Sequence, residues 1–456
     1  MIWSGIQKDT LLEFCKNADL ANIKWFILRN YEGLPEYNSS KDIDIIIEPG
    51  KLKEAENILI NSFKTHGFTN LHSDSFERVH CYNGMDLINN ISIHIDLIEG
   101  YISKGYEVFE FSELYEQTIE YNGLKVLNPF FDGIMLLIYK LVGYSKPKLK
   151  KSYKESIYNS YKYNPNEFYN IFYKMLGKEL ADKIIIEVKC KNFENIIQMN
   201  SLITKNIRKY IWRKKPLSVI KNGSYFLIHR FNRTILSYKK HLRSFSLMAP
   251  DGAGKTTLLD KVINELNYMY INDPEDCRFH VYHFRPSILP NIGQVGEKIG
   301  IKEQDKDFEN PHRGKPVGFL SSLLRITYYW LDYVVGWQMC ARNDVHYDKY
   351  TIFDRYCFDF IVDQRRTRLN LPMWIRKLYV ALIPKPQIIF FLDADADTIY
   401  SRKQELSYDE INRQLNEYRK LVKTDKRFIT LNALKTPEEL SLEVRNIILN
   451  RFTKRI

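Results

Sequence analysis

Apolar and acidic residues alternate in Lys41-Asp-Ile-Asp-Ile-Ile-Ile47, which predicts a strand with Asp42 and Asp44 on one face and Ile43, Ile45 and Ile47 on the other. The pattern returns at Ile91–Leu97. Ile91, Ile93, Ile95 and Leu97 make a buried face there, and His94 and Asp96 share the opposite one. Helical spacing predicts helices at Thr10–Ala18, Leu52–Phe63 and Pro129–Val142, and Lys24–Leu28 is read as a strand. The second half of the chain is read as an open α/β sheet. Its strands are Ser244–Met248, Arg278–Phe284, Lys349–Phe353, Pro386–Leu392 and Phe428–Leu431. Its helices are Thr257–Leu266, Phe319–Gln338, Ala396–Gln404 and Pro437–Arg451. The aromatic residues of Phe319–Gln338, among them Tyr328, Tyr329, Trp330, Tyr333 and Trp337, are read mainly as core.

The strand at Ser244–Met248 runs into Ala249-Pro-Asp-Gly-Ala-Gly-Lys-Thr-Thr257 and then a helix. That order makes a phosphate cradle. Gly252 and Gly254 permit backbone angles a side chain forbids, and successive amides then point into one concavity at the positive end of a helix. Lys255 is expected to reach the β- and γ-phosphates of a nucleotide, and Thr256 to ligate Mg²⁺. Ala249 stands where the G-x-x-x-x-G-K-T pattern has its first glycine. Beyond the carboxyl ends of such strands lie the ligand positions. Arg285 follows one strand and Asp354-Arg355-Tyr356 follow another. Asp354 is expected to hold Mg²⁺ or take a proton from the acceptor, and Arg355 to clamp a phosphate. Glu405–Gln414 is read as a mobile lid continuing into a helix, with Arg402, Lys403 and Arg413 as cations for the transferring group. The segment Asn432–Lys435 is where an adenine pocket is expected, and the long loop Ile288–Gly318 is where the acceptor is chosen. On the first strand pair, a divalent cation would relieve the repulsion between Asp42 and Asp44. Asp96 completes a three-carboxylate Mg²⁺ site if its strand lies beside theirs.

Composition changes this picture little. The 456 residues suggest roughly two to three domains, and 45% apolar residues supply ample cores. The net charge of +12 favours polyanionic partners. Lysine and arginine gather between residues 146 and 243, interleaved with Tyr and Trp. Nucleic acid or a membrane surface would suit that pattern, although an ordinary amphipathic connector is the preferred reading. Six scattered cysteines contain no C-x-x-C pair, so neither a disulfide framework nor a zinc site is expected. The N-terminus lacks the basic-then-apolar order of a signal peptide, and the most apolar stretch, Gly133–Gly143, is too short to span a bilayer. A cytoplasmic location is therefore expected. A homodimer is left open.

Two resemblances sharpen these expectations. Asp42, Asp44 and Asp96 resemble the Asp-x-Asp strand and third acidic strand residue of the nucleotidyltransferase superfamily, over roughly Trp25 to Leu97. The resemblance implies a small mixed sheet with flanking helices and a two-metal site. Arg29-Asn30 replaces the Gly-Ser pair that holds a triphosphate in active members. Pro250–Thr257, Arg285-Pro286, Asp354-Arg355-Tyr356, Leu392-Asp393 and the basic lid occur in the order of thymidylate kinases, over roughly Arg243 to Arg451. That resemblance implies a five-stranded parallel sheet binding ATP and Mg²⁺. Asp251, Gly252, Ala253, Gly254, Lys255, Thr256 and Thr257 would then hold the phosphates. Arg285, Arg355 and Tyr356 would meet the acceptor, and Lys255, Asp354, Arg355 and Arg402 would serve the transfer. The Glu-Pro-Gly continuation of thymidylate kinases is missing after Arg285. The resemblance implies a nucleoside monophosphate (dTMP-like) acceptor; because this departure falls on the acceptor side, a sugar or glycan hydroxyl is the alternative. The fold expected is α/β throughout: an α+β nucleotidyltransferase-like domain over 1–145, a helical basic connector over 146–240, and a thymidylate-kinase-like P-loop domain over 241–456. A second reading is a bifunctional nucleotidyltransferase and kinase acting on a sugar or glycan in surface-polysaccharide biosynthesis, and a third is a non-catalytic, nucleotide-gated scaffold that binds a polyanion.

Overall fold

The computed structural model describes residues 3–272, 278–290 and 317–456. Most of the Ile288–Gly318 loop, and Cys277, lie outside them. The chain forms two compact units. One is Met1–Phe231 with Met269–Ile271 and Thr453–Ile456, and the other is Asn232–Tyr268 with Asn272–Phe452.

The first unit is built on a mixed eight-stranded sheet. Its strands are β1 (Trp25–Ile27), β2 (Ile43–Ile47), β3 (Asn70–Phe76), β4 (Val79–Asp86), β5 (Ile91–Glu99), β8 (Thr118–Tyr121), β9 (Leu124–Leu127) and β15 (Lys454–Arg455). A separate hairpin joins β6 (Ile102–Ser103) to β7 (Tyr106–Glu107). The strand order is β15-β3-β4-β5-β2-β1-β9-β8. β2 and β5 lie side by side and parallel, with Asp44 opposite Asp96.

The alternation in β2 and β5 suggests one buried and one polar face, but both faces are covered. Ile43, Ile45, Ile47, Ile93, Ile95 and Leu97 pack with Phe14 and Phe63 from the helices Gly5–Leu20 and Leu52–Thr65. On the other side, Phe26, Leu28, Ile46 and Ile98 share a second core with the helix Pro129–Gly143. That helix starts where Asn128 accepts a hydrogen bond from the Phe131 amide at 2.9 Å, with Pro129 at its first position. The second core continues through Ile157, Phe168, Ile184, Ile203 and Val219. The helices between 151 and 231 therefore complete the first unit instead of standing apart as a connector. Their apolar stripes form one continuous core with the helix Pro129–Gly143 and the second face of the sheet.

The second unit contains a five-stranded parallel sheet of β10 (Ser244–Met248), β11 (Phe279–His283), β12 (Tyr350–Asp354), β13 (Ile388–Asp393) and β14 (Phe428–Asn432). The order is β11-β12-β10-β13-β14, so the first strand of the unit lies at its centre. β10 and β13 are buried along nearly their whole length, as strands covered by helices on both faces must be. In the long helix Phe319–His346, Tyr333 and Trp337 are buried, while Tyr328, Tyr329 and Trp330 are half-buried. The chain is thus α/β, with a mixed sheet and a helix-wrapped parallel sheet. No helix among the described residues is long and apolar enough to cross a membrane. The five described cysteines are all free thiols.

Candidate functional site

Parallel register brings the carboxyl ends of all five strands of the second unit to one edge. Leu247 of β10 stands opposite Asp354 of β12, which in turn stands opposite His283 of β11. From β10 the chain turns through Ala249–Gly254 into the helix Lys255–Tyr270. Gly252 and Gly254 take φ of 85° and 88°, angles that only glycine adopts without strain. Ala249 is fully buried and is not among the positive-φ residues, so alanine serves there as well as glycine.

Lys255 is buried. Its ammonium donates to the carbonyls of Ala249 (2.9 Å) and Pro250 (2.7 Å) and stands 3.8 Å from Asp251. Burial, reinforced by the Arg355 charge, pulls its pKa down to about 7, against the raising influence of Asp251 and Asp354. A phosphate chain arriving here would supply the missing negative charge. Thr256 and Thr257 are exposed at the helix start, one turn from the loop amides. At Asp354, Oδ2 lies 3.3 Å from His283 Nδ1, while Oδ1 is buried with no hydrogen-bond partner among the described residues. An orphaned buried carboxylate oxygen beside a glycine loop fits a Mg²⁺ ligand, directly or through water. These residues suit ATP with Mg²⁺.

Arg355 does not stand open towards an acceptor. It sits at φ 70° and pairs with Asp251 and, at 3.2 Å, with Asp359. Arg366 pairs with the other oxygen of Asp251 and, at 3.3 Å, with Asp363. Asp359 also accepts from Tyr418 at 2.9 Å. The Ala249–Gly254 loop is thus gripped by two arginines through Asp251. Sequence reasoning missed Arg366, whose partner is 115 residues away.

Other expected residues are placed differently. Tyr356, expected at the acceptor, is a core side chain. It is fully buried, its ring lies against Tyr333 and Phe353, and its hydroxyl donates to Pro384 O at 2.5 Å. Arg285 is buried against Asp332 at 2.8 Å, and Asp332 also accepts from the Ser287 and Leu289 amides. Arg402 is exposed and donates to Ala433 O at 3.1 Å, beside the segment expected to hold adenine. Lys403 pairs with Glu405, and Arg413 donates to Val362 O at 2.6 Å. The expected segment Glu405–Gln414 runs into a helix as anticipated, and that helix, Tyr408–Thr424, already begins at its fourth residue.

The first unit gathers its three carboxylates as the sequence suggests. One oxygen from each of Asp42, Asp44 and Asp96 falls within 4.8 Å of the others. Asp42 accepts from Ser40 at 3.2 Å, and His94 lies 2.9 Å from Asp96. Arg29, in the turn that replaces Gly-Ser, pairs with Asp44 at 2.7 Å. Burial pushes Asp44 above the ordinary carboxylate range; Arg29 opposes the shift, and Asp42 and Asp96 add to it. The oxygen-only set fits a hard divalent cation, with one carboxylate already partly neutralised by an internal arginine.

The chain matches no protein-family model and no curated protein.

Proposed function

We propose that the second unit is an ATP- and Mg²⁺-dependent phosphotransferase of the thymidylate-kinase-like type. It would move the γ-phosphoryl group to a nucleoside monophosphate or a related small hydroxyl acceptor. One observation carries this reading: buried Lys255, in a loop opened by Gly252 and Gly254, faces the strand end where Asp354 keeps an unpartnered oxygen. The loop amides and Lys255 would bind the β- and γ-phosphates. Thr256 and Asp354 would hold Mg²⁺, which supplies charge neutralisation when bound. Asp354 would also accept the proton of an incoming hydroxyl. The Asp251 grip by Arg355 and Arg366 orients the loop. The test is ATP turnover against a panel of nucleoside monophosphates and sugars, with phosphorylated product read by mass. Product from at least one acceptor, lost in Lys255→Ala, is expected. Absence of any Lys255-dependent product removes the reading. ATP binding without turnover would instead favour a nucleotide-gated scaffold.

A second reading adds nucleotidyl transfer by the first unit, favoured by the convergence of Asp42, Asp44 and Asp96. Pyrophosphate release that survives Asp42→Asn/Asp44→Asn rejects it.

A further inference from the structure

The sheet face that bears the carboxylates of the first unit carries a second set of polar side chains with different chemistry. β4 and β5 pair antiparallel, with Cys81 opposite Asp96 and Asn83 opposite His94. Side chains alternate along a strand, so all four share one face. The Cys81 sulfur, a His94 ring nitrogen and an Asp96 oxygen lie within 4.8 Å of one another. His94 and Asp96 are buried, and Cys81 is half-buried. Asn83 is 1% exposed, yet neither its Oδ1 nor its Nδ2 has a hydrogen-bond partner among the described residues. Natural proteins seldom bury an amide in this way unless a water or ion completes it.

The residue types select the ligand. A thiolate, an imidazole and a carboxylate make a zinc donor set, and three protein ligands leave a fourth tetrahedral position for water. Mg²⁺ takes oxygen donors and has little use for sulfur. The thiolate and carboxylate together cancel the charge of a divalent ion, which suits a buried face. Asp96 is shared with the oxygen-only trio. There, Arg29 already engages Asp44, which weakens the trio's claim on a cation. We propose that Cys81, His94 and Asp96 bind a zinc-class divalent transition-metal ion, with a metal-bound water hydrogen-bonded to the Asn83 amide.

The test uses the full chain purified without metal-affinity steps, equilibrated with Zn²⁺, dialysed, and assayed by elemental analysis. The ion is then exchanged for Co²⁺ and followed by absorption. About one zinc per chain is expected. A thiolate-to-cobalt charge-transfer band should accompany the intense visible bands of a tetrahedral centre. Cys81→Ser should abolish the charge-transfer band and weaken zinc binding by at least about tenfold. Asn83→Ala should keep the band and weaken binding by about 10–100-fold. Circular dichroism checks that each variant folds, and ATP turnover by the second unit should not change. No stoichiometric zinc in the folded wild type, or equal affinity in Cys81→Ser, overturns the proposal. So does a weak octahedral cobalt spectrum without charge transfer, which would assign the ion to Asp42, Asp44 and Asp96.

Discussion

The two candidate sites gather acidic and basic side chains in different places on a sheet. In the first unit the acidic residues sit on or beside adjacent strands, on a buried face, and the protein's own groups already engage them: Arg29 on Asp44, His94 on Asp96. In the second unit the candidate groups sit at and past the strand ends. The loop there contributes backbone amides, and Asp354 keeps one oxygen in reserve. A mid-strand site inherits its geometry from sheet register and needs a cover. A strand-end site depends on loop conformation and stays open to ligands as large as a nucleotide.

The largest expected effect comes from breaking the internal neutralisation of the first site. Arg29→Met leaves buried Asp44 without its cation and should cost about 3–5 kcal/mol of stability, seen as a lower urea midpoint. Millimolar divalent cation should restore part of it. If the midpoint does not move, the pair is not what stabilises that face. Next, Asp354→Asn should lower the rate of phosphoryl transfer by about 10²–10³-fold, measured in single turnover. The Arg29 variant should leave that rate alone, and equal losses in both would erase the contrast between the sites.

A smaller effect follows from Lys255, whose pKa falls from 10.5 to about 7 in the folded state. Between about pH 7 and 10 the unfolded chain binds a proton that the folded chain does not. Ligand-free stability attributable to Lys255 must therefore rise with pH across that window, by up to about 1.4 kcal/mol per pH unit. Denaturation midpoints of wild type and Lys255→Met, compared at pH 7 to 9.5, isolate the slope. ATP binding near pH 8 should be accompanied by proton uptake, visible as buffer-dependent binding heat. The smallest effect is expected from Tyr356→Phe, which loses one hydrogen bond to Pro384 O, about 1 kcal/mol. Acceptor KM should not change; a changed KM would return Tyr356 to the acceptor site.

Local pattern made some of this legible. The Asp-Ile-Asp and Ile-His-Ile-Asp alternations marked two strands, and their adjacency, with Asp44 opposite Asp96, is what a shared metal would need. The glycine loop and its flanking strand and helix were visible because backbone constraint is written into residue type. β3 and β4 were not, since Asn70-Leu-His-Ser-Asp-Ser-Phe76 has no clean period of two. Nor were the charge partners. Arg355 and Asp251 are 104 residues apart, Arg285 and Asp332 are 47 apart, and no local rule pairs them. The grouping of Cys81, His94 and Asp96 escaped for the same reason. Cys81 and His94 lack metal-site spacing in the sequence and meet only through antiparallel register.

The position of β10 also bears on how the chain is made. Both of its strand neighbours lie far downstream, and Ser244 meets Gln387 across 143 residues. During synthesis at about 5–20 residues per second, β10 would wait about 7–30 s for the second of its neighbours. Closing so long a span also costs entropy before any pairing repays it. A nascent chain stalled or cut before β13 would therefore expose the apolar edge of β10, which makes that interval the one in which a chaperone would matter most.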